Sequence, residues 1–160
     1  MKPFLLALLL IGAPAVKAAD VAPITFYIQL IRGSDQDTPP LPDAHLIGDK
    51  LNRQLHDIFK WKNYWEVKRE AVTLKQGMGV RKKMSPERDV EITWTGDKNL
   101  VVSIYTNGKV TRKRQQSTEN TFYIAGGDND ATESWFIIVR RDNPEANRNR
   151  DTNPKPAETP

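Results

Sequence analysis

The chain predicts a single α+β domain: a mostly antiparallel curved sheet or small sandwich with one N-terminal amphipathic helix packed on it. Three observations carry that expectation. Apolar and polar residues alternate with period two in a series of short segments, from Ile24–Leu30 near the start to Leu100–Tyr105 further on. Ile47, Leu51, Leu55 and Ile58 repeat at spacings of 4, 4 and 3, which places them on one helical stripe. The resulting order is strand, helix, then six or so antiparallel strands, an arrangement in which the sheet covers the helical stripe.

Residues 1–18 have the three parts of a secretory leader: Met1-Lys2, the uncharged Leu-rich run Phe4–Ile11, and the small residues Ala13–Ala19. The apolar stretch through Val16 is about 13 residues, or roughly 20 Å as a helix, which falls short of a hydrocarbon core of about 30 Å. A cleavable signal is therefore expected in place of a transmembrane anchor. Val16-Lys17-Ala18 sets cleavage after Ala18, with Ala19 as the alternative. The expected localisation is exported, either periplasmic or extracellular. There is no cysteine in the chain, so thiolate metal sites, Cys nucleophiles and a thiol-linked lipid anchor beside the signal are excluded.

In the globular part, residues 20–142, Ile24, Phe26, Ile28 and Leu30 alternate with Thr25, Tyr27 and Gln29 as a half-buried strand. Gly33-Ser34-Asp35 and three nearby prolines then form a loop. The helix is expected over about 43–59, with Asp43 as N-cap. From Trp65 to Leu74 the residues are β-formers whose alternation changes phase near Glu70, which predicts a bulge or bend there. Val80, Lys82 and Met84 mark a short basic strand. Val90, Ile92 and Trp94, then Leu100, Val102 and Ile104, mark two more. Asn107-Gly108 predicts a type I′ hairpin, because both residues tolerate positive φ, and Lys109–Gln116 is the returning strand. Thr121–Ile124 and Ser134–Val139 form a last pair around a polar Gly-rich connection. Residues 143–160 are rich in Pro and Asn, and read as a disordered tail. The helix, the aromatic-basic connection after it and a terminal hairpin carrying Gly126-Gly127 resemble, in layout, small accessory β-domains of bacterial envelope machinery; no functional residue is carried over from that likeness.

Charge is polarised along the chain. The formal net charge is +4, and removal of Lys2 and Lys17 with the leader lowers it to +2. Residues 60–83 carry eight Lys or Arg against Glu66 and Glu70, and residues 109–114 add Lys109, Arg112, Lys113 and Arg114. The basic segments around Arg81, Lys82, Lys83 and around Lys109, Arg112, Arg114 are candidates for one anion-binding sheet face. An exported location makes nucleic acid an improbable partner. The expected partners are an acidic protein surface, an anionic glycan or a lipid headgroup. The competing explanation is that these cations guard edge strands against pairing.

Phe59-Lys60-Trp61-Lys62-Asn63-Tyr64-Trp65 interleaves four aromatics with two lysines at the end of the helix. Aromatic faces beside cations can hold sugars or anions. Trp61 and Tyr64 are the members expected to be partly exposed, while core packing accounts for the rest. Glu66 or Glu70 beside Trp61 and Tyr64 is the single place where paired carboxylates would suit glycoside hydrolysis. No G-x-S-x-G, H-E-x-x-H or P-loop pattern is present. His45, Asp49, Asn52 and His56 fall on one face of the expected helix, but residues eleven apart are about 16 Å apart there, too far for one zinc ion. Asp128, Asp130, Thr132 and Glu133 evoke a calcium loop but depart from the EF-hand order, since Glu133 stands where Gly is required. No metal and no cofactor is expected. The leading expectation is an exported, non-enzymatic binding or assembly module of the cell envelope. The alternatives are a carbohydrate-active or other hydrolytic protein using Glu66 and Glu70, and a structural subunit pairing through edge strands.

Overall fold

The computed structural model describes residues 21–96, 98–120 and 122–144. The expected leader at 1–18 and, of the tail expected over 143–160, all but residues 143 and 144 lie outside the described residues. The elements are β1 (Ile24–Ser34), β2 (His45–Leu46), α1 (Asp49–His56), β3 (Asn63–Leu74), β4 (Gly79–Lys83), β5 (Arg88–Gly96), β6 (Asn99–Thr106), β7 (Lys109–Ser117), β8 (Phe122–Asp128) and β9 (Glu133–Arg140). Among the described residues they make one mostly-β domain of antiparallel sheets with a single short helix.

Two sheets form, in the orders β2-β3-β1-β9-β8 and β4-β5-β6-β7. The period-2 patterns decide how they meet. Phe26, Ile28 and Leu30 of β1 share a core with Val90, Ile92 and Trp94 of β5 and with Leu100, Val102 and Ile104 of β6. The residues between them on β5, Glu91 and Thr93, face away and are only half-buried. The opposite face of the five-stranded sheet carries a second, smaller core. There Ile31, Tyr64, Phe136 and Ile138 pack on Leu51 and Leu55 of α1. Strands β1 and β9 thus lie between two apolar layers, and Trp135 to Val139 are all buried. A strand buried on both faces reads as a continuous apolar run rather than an alternating one.

The helix is shorter than its stripe suggested. It spans Asp49–His56, and Gly48, with extended backbone, takes the N-cap position in place of Asp43. The physical reason lies in tertiary contacts. The backbone N–H of Ile47 donates to the carbonyl of Tyr64 at 3.1 Å, and His45-Leu46 pairs with Trp65-Glu66 as β2. Ile47 therefore reaches the helix-side core from outside the helix. At the other end, the Tyr64 hydroxyl donates to the carbonyl of Phe59 at 3.1 Å, and Ile58 is left 61% exposed. His45 consequently lies on a strand, which removes the helical face that grouped it with Asp49, Asn52 and His56. The bulge falls at Val67 and not at Glu70: Leu30 pairs with Lys68, and Ile31 pairs with Glu66. The Asn107-Gly108 hairpin forms as expected, with φ of 49° and 78° and Thr106 opposite Lys109. Among the described residues, no helix is long and apolar enough to cross a membrane.

Candidate functional site

Register sorts the basic residues into two classes. On β4, Arg81 lies opposite Glu91 and Lys83 opposite Asp89, so both stand on the outer face of the four-stranded sheet. The Arg81 guanidinium is 2.6 Å from the Asp89 carboxylate and lies over the Tyr105 ring, 3.6 Å from its centroid. Lys83 is 3.8 Å from the same carboxylate. Lys82 points to the other face and meets Glu70 of β3 at 3.4 Å. All three cations of β4 are therefore compensated within the fold.

The cations of β7 have no such compensation. Lys109, Arg112, Lys113 and Arg114 are exposed, and among the described residues none of them forms an ion pair. Strands β5 and β6 separate β7 from β4, so three interstrand spacings, about 14 Å, lie between the two basic segments. The expected continuous basic face is thus divided: Arg81, Lys82 and Lys83 occupy one edge, and Lys109, Arg112 and Arg114 the opposite one. Arg112 and Arg114 lie opposite Ile104 and Val102, the core-facing residues of β6. Both therefore stand on the side of β7 that faces the other sheet, while remaining exposed.

Strand β8 ends the five-stranded sheet, with β9 as its sole neighbour. Its sequence, Phe-Tyr-Ile-Ala-Gly-Gly-Asp, contains no Lys, Arg or Pro. Tyr123 and Ala125 face the inter-sheet core, whereas Phe122 and Ile124 face the helix side. Burial raises the pKa of the Tyr123 phenol, and the nearby Arg112 and Arg114 charges pull it partly back. That opposing effect places both guanidiniums within electrostatic reach of β8.

An open concavity of about 560 Å³ lies along this edge, bounded by Ile58, Trp61, Arg112, Ile124, Gly126 and Phe136. Two glycines shape it. A Cβ on Gly33 would stand 2.6 Å from the Trp61 ring, and one on Gly126 would stand 2.6 Å from the Phe136 ring. Each aromatic therefore lies directly against bare backbone. Phe59 packs on Phe136 with ring centroids 4.6 Å apart. A second hollow of about 450 Å³ adjoins Phe122 at the other end of β8, with Lys50, Gln54, Glu119 and Arg141 in its walls. Of the residues singled out in the sequence, Trp61 and Arg112 meet in one concavity. Tyr64 does not join them: it is 0% exposed, with its hydroxyl on the backbone at the end of α1.

The paired carboxylates do not converge. Because of the bulge at Val67, Glu66 lies on the helix side of β3 opposite Ile31, while Glu70 lies on the sandwich side opposite Ile28. Glu66 is 3% exposed. It accepts a hydrogen bond from Gln29 Nε2 and lies 2.7 Å from Arg69 Nε, with His45 Nε2 at 3.6 Å. Its setting is that of a buried ion pair with its lone pairs engaged. In the β8–β9 connection, Asp130 Oδ1 accepts from the backbone N–H groups of Thr132 at 2.7 Å and Glu133 at 3.1 Å. The Thr132 hydroxyl adds a third bond to Asp130, and these bonds hold the Asp130 carboxyl below its ordinary pKa, the hydroxyl's being the largest contribution. Among the described residues, no cluster of three His, Asp or Glu side chains is placed to hold a metal ion.

The chain matches no family model, no curated protein and no solved structure. Sequence reading missed the edge itself: Ile124 and Phe136 belong to the concavity and were read only as strand residues, while Lys60 and Gly126 were marked in separate segments and not as parts of one site. One signal was available, since two consecutive glycines within a strand pattern mark a close approach of other groups to the backbone.

Proposed function

We propose that the mature chain is an exported, non-enzymatic binding or assembly module of the cell envelope that recognises an acidic partner. The observation that carries this reading is the charge of β7, where four cations form no ion pair among the described residues and two of them stand near edge strand β8, which is uncharged from Phe122 to Gly127 and ends in Asp128. Unpaired cations attract and orient anions more strongly than cations already neutralised by neighbours. The leader at 1–18 supports export, and the aromatic wall at Trp61 supplies apolar surface next to the charge. Arg81, Lys82 and Lys83 have a structural task in this account: they neutralise Asp89 and Glu70.

The test is recovery of envelope partners by tagged mature protein at low and high salt. The reading expects recovery that weakens as the Debye length falls from about 10 Å to about 3 Å. It expects loss of recovery on Arg112→Glu/Arg114→Glu, with the circular dichroism spectrum unchanged. Salt-independent recovery that survives the double reversal would overturn it.

A further inference from the structure

We propose that β8 accepts an extended acidic segment of a partner polypeptide as a sixth strand of the five-stranded sheet. The inference rests on the acidic-partner reading and adds to it a binding mode and a ligand chemistry. Its first support is the backbone. Along an edge strand, alternate N–H and C=O groups point away from the sheet and are open to pairing. Among the described residues no strand other than β9 pairs with β8, which offers seven residues, or about 23 Å of strand.

The second support is the contrast with the other edges. β4 and β7 carry Lys and Arg in the manner of guarded edges, and β2 is only two residues long. Strand β8 has none of these protections. An unguarded edge of this length invites pairing, and the surrounding charge selects what pairs with it.

The third support is the pattern of side chains that an added strand would present. Successive residues of a strand point to opposite faces. One row would fall on the helix side, against Trp61 and Phe136. The alternate row would fall under Arg112 and Arg114. The matching ligand alternates apolar with acidic residues, which is strand addition with side-chain specificity. A second copy of this chain fits poorly, because pairing two β8 edges would bring two sets of Arg112 and Arg114 together. Residues 145–160 also fit poorly, because they carry three acidic and three basic residues and three prolines, which lack the N–H that the ladder needs.

The probe is an acetylated, amidated octapeptide alternating Val and Glu, titrated into isotope-labelled mature protein. Two further versions carry backbone N-methyl groups at alternate residues, one in each frame, so that one of them blocks the pairing face. The proposal expects slowed amide exchange within Phe122–Asp128 and binding at least about tenfold weaker for the blocked peptide. It also expects weakening of that size for Arg112→Gln/Arg114→Gln. Equal binding of all three peptides with unchanged β8 exchange, but with dependence on Arg112 and Arg114, would overturn strand addition and leave the acidic-partner reading standing. Absence of binding, or binding indifferent to both arginines, would overturn both. Protection of β8 in the free protein together with a doubled mass would overturn the proposal in favour of self-pairing.

Discussion

Strands β4 and β7 are the two edges of one sheet, and in sequence they look alike, each bearing a short cluster of Lys and Arg. Their surroundings make them opposites. β4 lies beside the acidic side chains of β5 and β3, so Arg81, Lys82 and Lys83 each have a carboxylate within 4 Å. β7 lies beside β6, whose residues from Asn99 to Thr106 include no acid, and its cations are left to the solvent and to β8. The difference teaches that net charge along a segment does not report the field it produces. Cross-strand register decides which charges cancel.

Four sets of perturbations would break or sharpen that contrast. The largest effect is expected from Arg112→Glu/Arg114→Glu, which should weaken binding of the Val–Glu octapeptide about a hundredfold, close to 3 kcal/mol. Arg81→Glu/Lys83→Glu should change it by no more than about twofold, and isothermal titration would separate the two variants. Equal losses would erase the distinction between the edges. Next is Gly126→Val, which forces a side chain against the Phe136 ring and the Trp135 carbonyl. Overpacking there should cost about 1–3 kcal/mol in urea unfolding, and an unaffected midpoint would show that Phe136 is not held against β8.

A smaller effect is expected from neutralising the counter-charges of β4. Glu70→Gln/Asp89→Asn should lower stability by no more than about 1 kcal/mol, because the pairs are partly exposed. The change should create a second uncompensated basic edge, detectable as stronger retention on an anionic resin at low salt. Unchanged retention would mean that those carboxylates do not neutralise Arg81, Lys82 and Lys83.

The smallest effects belong to two tyrosines that report on the two edges. The Tyr105 pKa is raised chiefly by its hydrogen bond to Glu91, with Arg81 opposing, while Tyr123 is raised by burial, with Arg112 and Arg114 opposing. Removing Arg81 should raise Tyr105 alone, and removing Arg112 and Arg114 should raise Tyr123 alone, as read by NMR-detected titration. A phenol whose pKa is raised in the folded state contributes stability that is full below its ordinary value, about 10, and lost as pH rises through the folded value. Each variant should therefore lose more stability than the wild type in that alkaline range.

Much of the fold was legible because it is written in local patterns. Val90-Ile92-Trp94 and Leu100-Val102-Ile104 alternate as their burial requires, and Asn107-Gly108 needs no partner to specify its turn. The helix was misread where a long-range contact intervened: Ile47 has helical spacing to Leu51, yet its N–H is taken by Tyr64, seventeen residues on. The bulge at Val67 is set by pairing with β1, and it is what sends Glu66 and Glu70 to opposite faces. The division of the basic residues was not legible for a similar reason. Whether Arg81 meets Asp89, and whether Arg112 lines one concavity with Ile124, depends on register and on sheet stacking, which no short window of sequence contains.

The central claim is that β7, and not β4, presents the available positive charge. The most direct measurement is the NMR signal of each arginine Nε–Hε group during titration with the Val–Glu octapeptide. The account predicts that Arg112 and Arg114 shift together with the amides of β8 while Arg81 stays in place. Movement of Arg81 equal to that of Arg112, or no movement of Arg112 and Arg114 at saturation, would contradict it.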